Sequence, residues 1–357
     1  MASYNKLLHA VFLLLLVLSF VAQTSGESEA GAAAPPQCGS ESGGGCHNKA
    51  HALKLKIIAI GSILVMSMIG VCLPIFSRVV PALQPDRDLF ALVKAFASGV
   101  ILATGYMHVM PDSFDCLRSP CLPINPWHKF PFTTFVAMLS AILTLMVDSF
   151  SMSYYKKKSS QLIVEPSERV KNETGGLENI GHCHTNVAVG LDEKGSQLLR
   201  YRVVAQVLEL GIVVHSVVIG LSMGASDNPC TIRPLVAAIC FHQLFEGMGL
   251  GGCILQAEYG NKIKAIMVFF FSVTTPFGIV LGIGLSNVYS ENSPTALIVV
   301  GLLNASSAGL LNYMALVDLL GSDFMGPKLQ GNVKLQIWAY IAVLLGVGGM
   351  SLMAKWA

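Results

Sequence analysis

The chain has 357 residues, of which 53% are hydrophobic and 12% charged, with a formal net charge of +2. A soluble domain carries about 25% charged residues, so an ordinary water-facing surface is excluded for most of this chain, and the deficit points to lipid. The near-zero net charge gives no electrostatic basis for binding nucleic acid.

In chain order, Lys6 precedes the apolar run Leu7 to Ala22, and Gln23-Thr24-Ser25-Gly26 follows. That layout predicts a cleaved signal peptide over 1–26, with an uncleaved anchor as the alternative. Cleavage places the mature N-terminus outside the cytosol. Residues 27–52 are rich in Gly, Ala, Ser and Pro and read as an external disordered tail.

A membrane-spanning helix needs about 20 mainly apolar residues. Runs of that kind are Ile57–Phe76, Leu89–Met110, Thr133–Tyr154, Val203–Met223, Ile232–Leu255, Ala265–Leu285, Thr295–Leu320 and Val333–Met353. They are apolar nearly all round, as helices of a bundle in lipid are, and too long for the strands of a barrel. The reading is an all-α polytopic membrane protein, an eight-helix bundle. Residues 53–155 hold spans one to three and 202–357 hold spans four to eight. The 34 glycines fall largely inside the runs, where they let helices approach closely. Short connections predict that successive helices are antiparallel neighbours.

The long connection 156–201 is polar and charged and reads as a flexible cytosolic segment. With the N-terminus outside, Arg78, Arg87, Lys156 to Arg202, Lys262, Lys264, Lys328 and Lys334 fall inside, in line with the positive-inside rule. Lys49, Lys54 and Lys56 run against it. In that topology the sequon Asn172-Glu173-Thr174 is cytosolic and unused, and the C-terminus is outside. Cys38, Cys46, Cys116, Cys121 and Cys230 then lie outside, where disulfides persist, and Cys116 and Cys121 are spaced for a local pair.

Ionisable groups within spans cost several kcal/mol unless paired or hydrated, so each is a candidate site. His242 and Glu246 stand four apart in midspan, on one helix face. Imidazole nitrogen and carboxylate oxygen are ligands suited to zinc and similar ions. His215 is midspan in the preceding helix and can converge with them. The alternative is a structural His–Glu hydrogen bond between two helices. His108 and Asp112 repeat the spacing at the outer end of span two, as an entrance for cations or as a tolerated helix end. Asp148 lies deeper in span three. Glu209 and Asp318 read as interfacial, or paired with Arg or Lys. In the long connection, His182, Cys183 and His184 form a tract suited to a cytosolic metal sensor.

Several stretches carry a family resemblance. The run His215-Ser216-Val217-Val218-Ile219-Gly220, the run His242 to Gly252 (HQLFEGMGLGG), His108 to Phe114 (HVMPDSF), Pro120-Cys121-Leu122-Pro123 and Asn125 to Phe132 (NPWHKFPF) resemble the ZIP (Zrt/Irt-like) metal transporters, in their plant branch. The resemblance runs from about Lys54 to the C-terminus. It implies eight helices, both termini outside, a metal pathway lined by helices four and five, and influx of zinc, iron or manganese; the expected location is the plasma membrane. It also implies alternating access in which helices one, four, five and six slide against the rest. Carried over by position, His215, His242 and Glu246 are the primary ligands and Ser216 and Gln243 secondary ones. His108, Asp112 and Asp148 match positions linked to entrance and selectivity. Ile219, and Thr274-Thr275 before Pro276, stand where members with two adjacent metal sites carry carboxylates, which implies one central metal.

The ion is cargo, so no resident cofactor is implied; the partners are the divalent ion and the bilayer, and a homodimer is allowed but not required. Zinc is the first choice because nitrogen–oxygen sites suit it, with iron and manganese open. Two other readings are weaker. An intramembrane metalloenzyme would show His-Glu-x-x-His, with the Glu as base; this chain has His-Gln-x-x-Glu. A bis-histidine haem electron carrier leaves Glu246 without a role.

Overall fold

The computed structural model describes residues 48–76, 87–164, 184–286 and 293–354, without side chains at 155–164, 184–194, 196 and 197. The signal peptide, most of the tail, Asn172, His182 and Cys183 lie outside the described residues, as does the side chain of His184.

The described chain is helical throughout, and eight of its helices hold a stretch long and apolar enough to cross a bilayer. They are α1 (Lys49–Ile75), α2 (Asp88–Leu117), α3 (Phe132–Val164), α4 (His184–Ala225), α5 (Pro229–Gln256), α6 (Asn261–Leu285), α7 (Pro294–Phe324) and α8 (Val333–Ala354). Polar caps explain why three of them start before their apolar runs. The side chains of Asn48, Asn228 and Ser293 accept from the backbone N–H of His51, Cys230 and Ala296 at 3.0, 3.0 and 3.2 Å. Pro229 and Pro294 follow at the first helical position, where a missing N–H costs nothing. The helices α3 and α4 also reach into the segment expected to be a loop, to Val164 and from His184.

Helix α2 passes Pro111, where its apolar run was expected to end at Met110. The turn Gly105–Val109 is π-helical, and the Met110 N–H bonds to the Gly105 carbonyl. The ladder is already shifted there, so a proline just beyond it does not break the helix. A second π-helical stretch, Met314–Gly321, lies in α7.

Neighbours in space are mostly not neighbours in sequence. The most extensive pairings are α1 with α5, α2 with α7, α4 with α6, α2 with α8 and α3 with α7. The expectation of successive neighbours is therefore corrected, although α4 and α5 do pack together. Small residues explain the choice, since in lipid the closeness of backbone approach replaces hydrophobic burial as the main discriminator. A Cβ on Gly247 would come within 2.8 Å of the Val71 backbone nitrogen on α1. On α4 and α6, a Cβ on Gly220 would lie 2.6 Å from the Thr275 carbonyl, and one on Gly278 2.8 Å from the Val217 carbonyl. Two groups result: α1, α4, α5 and α6 in one, and α2, α3, α7 and α8 in the other.

Two of the three basic residues that ran against the charge rule are compensated. Lys49 and Lys56 both pair with Asp227, at 3.5 and 3.6 Å, across the end where α4 meets α5. At that same end Cys121 and Cys230 each take part in a disulfide and Cys116 in none, so the local Cys116–Cys121 pair is not formed.

Candidate metal site

The fold brings His215 of α4 to His242 and Glu246 of α5. One ligand atom from each lies within 4.8 Å of the others, and this is the only such cluster of three metal-ligating side chains among the described residues. All three are buried, with Glu246 wholly so. The spacing of four stacks His242 and Glu246 on one face of α5. Next to Glu246, about 100° round the helix, stands Gly247, whose missing side chain lets α1 close against it.

Both ring nitrogens of His215, both of His242 and both carboxylate oxygens of Glu246 are buried without a hydrogen-bond partner. Buried polar atoms in proteins are almost always satisfied. Six orphan polar atoms are therefore a costly arrangement for structure alone, and three of them, one from each residue, converge as a divalent ion would require. The expected alternative, a structural His–Glu hydrogen bond, is not formed.

His108 joins this group from the π-helical turn of α2. Its ring centre is 5.7 Å from that of His242 and 6.4 Å from that of His215, against 5.7 Å between those two. It is thus the one imidazole at the centre supplied by the second helix group. Ser216 and Gln243 are buried beside the histidines. The Gln243 Oε1 accepts weakly from Thr275 Oγ1 at 3.5 Å, and its Nε2 has no partner. Asp112 is one turn outward of His108 on α2 and partly exposed. Asp148 is not in the cluster; Tyr313 of α7 donates to its Oδ2 at 3.4 Å. Asp318, expected to be interfacial or paired with Arg or Lys, is buried and forms no ion pair among the described residues.

The surroundings repeat along three helices at a spacing of seven. Seven residues outward from His108, His215 and His242 stand Asp115, Ser222 and Leu235, and all three line one cavity of about 380 Å³ that opens at the Asn228 end of the bundle. Seven residues the other way stand Ile101, Leu208 and Gly249. Ile101 and Leu208 are fully buried in one apolar cluster with Leu250 and Ile254, and a Cβ on Gly249 would meet the Ile101 side chain at 3.0 Å. Seven residues span about 10 Å of helix. A partly polar cavity thus lies about 10 Å from the buried cluster on one side, and a packed apolar layer lies at a similar distance on the other.

One buried ion stands out that the sequence reading did not single out. Lys94 of α2 is 4% exposed, and its ammonium donates to Asp323 Oδ1 at 2.9 Å and to Gln256 Oε1 at 3.1 Å. The signal was a lysine inside an apolar run, easily taken for one that snorkels to the interface.

A helical bundle with eight candidate spans among the described residues and a buried imidazole–carboxylate cluster fits a membrane carrier for metal ions. The sequence matches the family described as ZIP Zinc transporter over residues 53–354. The chain is 61% identical over 345 residues to Fe(2+) transport protein 2 of Oryza sativa subsp. japonica, covering 90% of this chain and 91% of that one. It is 58% identical over 361 residues to Fe(2+) transport protein 1 of Arabidopsis thaliana, over the full length of both. It is 58% identical over 359 residues to probable zinc transporter 10 of Arabidopsis thaliana, covering 98% and 97%. The chain belongs to the ZIP family: it is a multi-pass membrane metal transporter, not an enzyme.

Proposed function

We propose that the protein is a secondary carrier that imports a divalent transition metal into the cytosol, with zinc the first choice and iron or manganese also accepted. The observation that carries this reading is the cluster of His215, His242 and Glu246, whose six buried polar side-chain atoms have no hydrogen-bond partner. Relatives of similar identity are named for iron in two cases and for zinc in a third, which supports a site permissive to both. His215, His242 and Glu246 serve as primary ligands, with His108 supplied from across the helix groups and Ser216 and Gln243 as secondary contacts. Asp112 attracts and sorts cations on the approach, and Asp148 tunes selectivity further along the route.

In this reading the Asn228 end faces outward, both termini are outside, and the plasma membrane is the location after removal of a signal peptide over 1–26. The ion enters by the cavity, is held at the cluster, and leaves once the group α1, α4, α5 and α6 moves against the other. The tract His182, Cys183 and His184 lies on the cytosolic side as a sensor. The test is initial uptake of radiolabelled zinc by cells deficient in metal uptake and expressing the chain, with unlabelled iron(II) and manganese(II) as competitors. Saturable uptake inhibited by either ion supports the reading. Uptake no greater than in cells with empty vector refutes it.

A further inference from the structure

The spacing that organises the pathway extends one step further, and there it reaches a polar contact between the two helix groups. Fourteen residues from His108 along α2 stands Lys94, and fourteen from His242 along α5 stands Gln256. At about 1.5 Å per residue both lie about 20 Å beyond the metal cluster, past the apolar layer of Ile101, Leu208 and Gly249. Lys94 is nearly inaccessible, with its Nζ 2.9 Å from Asp323 Oδ1 and 3.1 Å from Gln256 Oε1.

These two bonds differ in what they join. Lys94 and Asp323 belong to α2 and α7, members of the same helix group. Gln256 belongs to α5, in the other group. The ion pair therefore holds the ammonium in place within one group, and the bond to Gln256 ties that group to the other. A buried ammonium cannot be left with donors unused at little cost. Any movement that parts α5 from α2 at this end must break the Gln256 bond, while the Asp323 pair can persist. The π-helical stretch Met314–Gly321 sits directly before Asp323 in α7 and sets the phase at which its carboxylate meets Lys94.

We propose that Lys94, anchored by Asp323, is a latch that closes the cytosolic end of the pathway through its bond to Gln256, and that this bond is broken each time the ion is released inward. The proposal rests on the carrier reading and on the outward orientation of the Asn228 end. It makes Lys94 a positioning residue: it touches no metal, and it controls how often the closed arrangement opens.

Cys253 reports the state of this end. It is 2% exposed, three residues before Gln256 on α5. In full-length protein in native membranes, alkylation of Cys253 by a small permeant maleimide is followed by mass spectrometry of its peptide, alongside initial zinc uptake at matched surface levels. Gln256→Leu removes only the cross-group bond and is expected to speed Cys253 alkylation roughly tenfold, the shift that about 1.4 kcal/mol produces. Gln256→Glu replaces a neutral acceptor by a charged one and tightens the latch, so Cys253 alkylation and zinc uptake are both expected to slow by roughly tenfold. Gln256→Glu is near-isosteric and carries the test alone if Gln256→Leu does not fold. Parental zinc uptake combined with a Cys253 reactivity indifferent to residue 256 overturns the latch and leaves the carrier standing. Absence of zinc uptake by the parent itself counts against the carrier reading instead.

Discussion

Glu246→Gln removes one formal charge from the metal cluster and almost no volume. Its magnitude follows from the ligand set. His215 and His242 bind a metal as neutral imidazoles, so among the three clustered side chains Glu246 is the only source of negative charge. Two unit charges 4 Å apart at an effective dielectric near 20 attract by about 4 kcal/mol. A divalent ion carries twice that charge, and a direct zinc–oxygen bond is only about 2 Å long, so about 4 kcal/mol is a lower bound for this site. That loss lowers occupancy about a thousandfold. The fold should tolerate the change, because the Glu246 oxygens have no hydrogen-bond partner to lose. The assay is initial uptake of radiolabelled zinc, below the parental KM, in cells with equal surface levels of parent and variant. Lys328→Gln is the control, since Lys328 lies in a half-exposed contact with Asp88 at 4.0 Å, where an ion pair contributes about 0–1 kcal/mol. Uptake by Glu246→Gln within a few-fold of the parent would show that the cluster does not carry the ion, and the reasoning from buried orphan atoms would fail with it.

Replacing both His182 and His184 by Ala is expected to leave the initial uptake rate within about twofold of parent, because the proposed topology puts the tract outside the membrane pathway; complete loss at normal surface expression would give it a transport role. Asp112→Ala and Asp148→Ala are expected to change the ratio of zinc to iron and manganese uptake more than protein abundance, since carboxylates favour the harder ions; identical ratios in competition assays would make both residues structural. Gly247→Val should destabilise the protein by about 1–3 kcal/mol through overpacking against α1, read as a lower melting temperature in detergent. Acidification is expected to slow uptake, because protons compete with the metal for imidazole and carboxylate. Glycosidase treatment should leave mobility on gels unchanged, and a shift abolished by Asn172→Gln would place 156–201 outside.

The span count and the core of the site were legible for the same reason: both are written in local spacing. Apolar runs of about 20 residues mark helices in lipid whatever their partners, and His242 with Glu246 at i, i+4 must share a face. Hydropathy carries no information about which helix lies beside which, so α1 against α5 and α2 against α8 were not visible. Hindsight shows the signal in paired small residues, such as Gly70 with Gly247 and Gly220 with Gly278, which become informative only once matched between helices. The role of His108 was hidden by its place near a helix end beside Pro111. A π-helical turn is a change of hydrogen-bond register, invisible to periodicity, and it is that turn which carries His108 to within 6.4 Å of both other histidines.

The division of ligands between helix groups bears on how one site can face two compartments in turn. His215, His242 and Glu246 belong to the group α1, α4, α5 and α6, held together by backbone contacts at Gly247, Gly220 and Gly278 that leave little room for internal adjustment. These three can move as a unit without losing the ion, because all their mutual distances are fixed within that group. His108 is on the other side of the boundary, so any relative displacement of the groups changes its distance to the rest. In the proposed carrier reading, His108 joins the other three only when the groups are aligned as here. A shift of even one helical turn, about 5 Å, removes one ligand and leaves three. A carrier needs its ion bound firmly enough to be captured and loosely enough to be released. On the proposed movement, three ligands on one group and His108 on the other would make the affinity fall during the movement itself, with no separate mechanism to eject the ion.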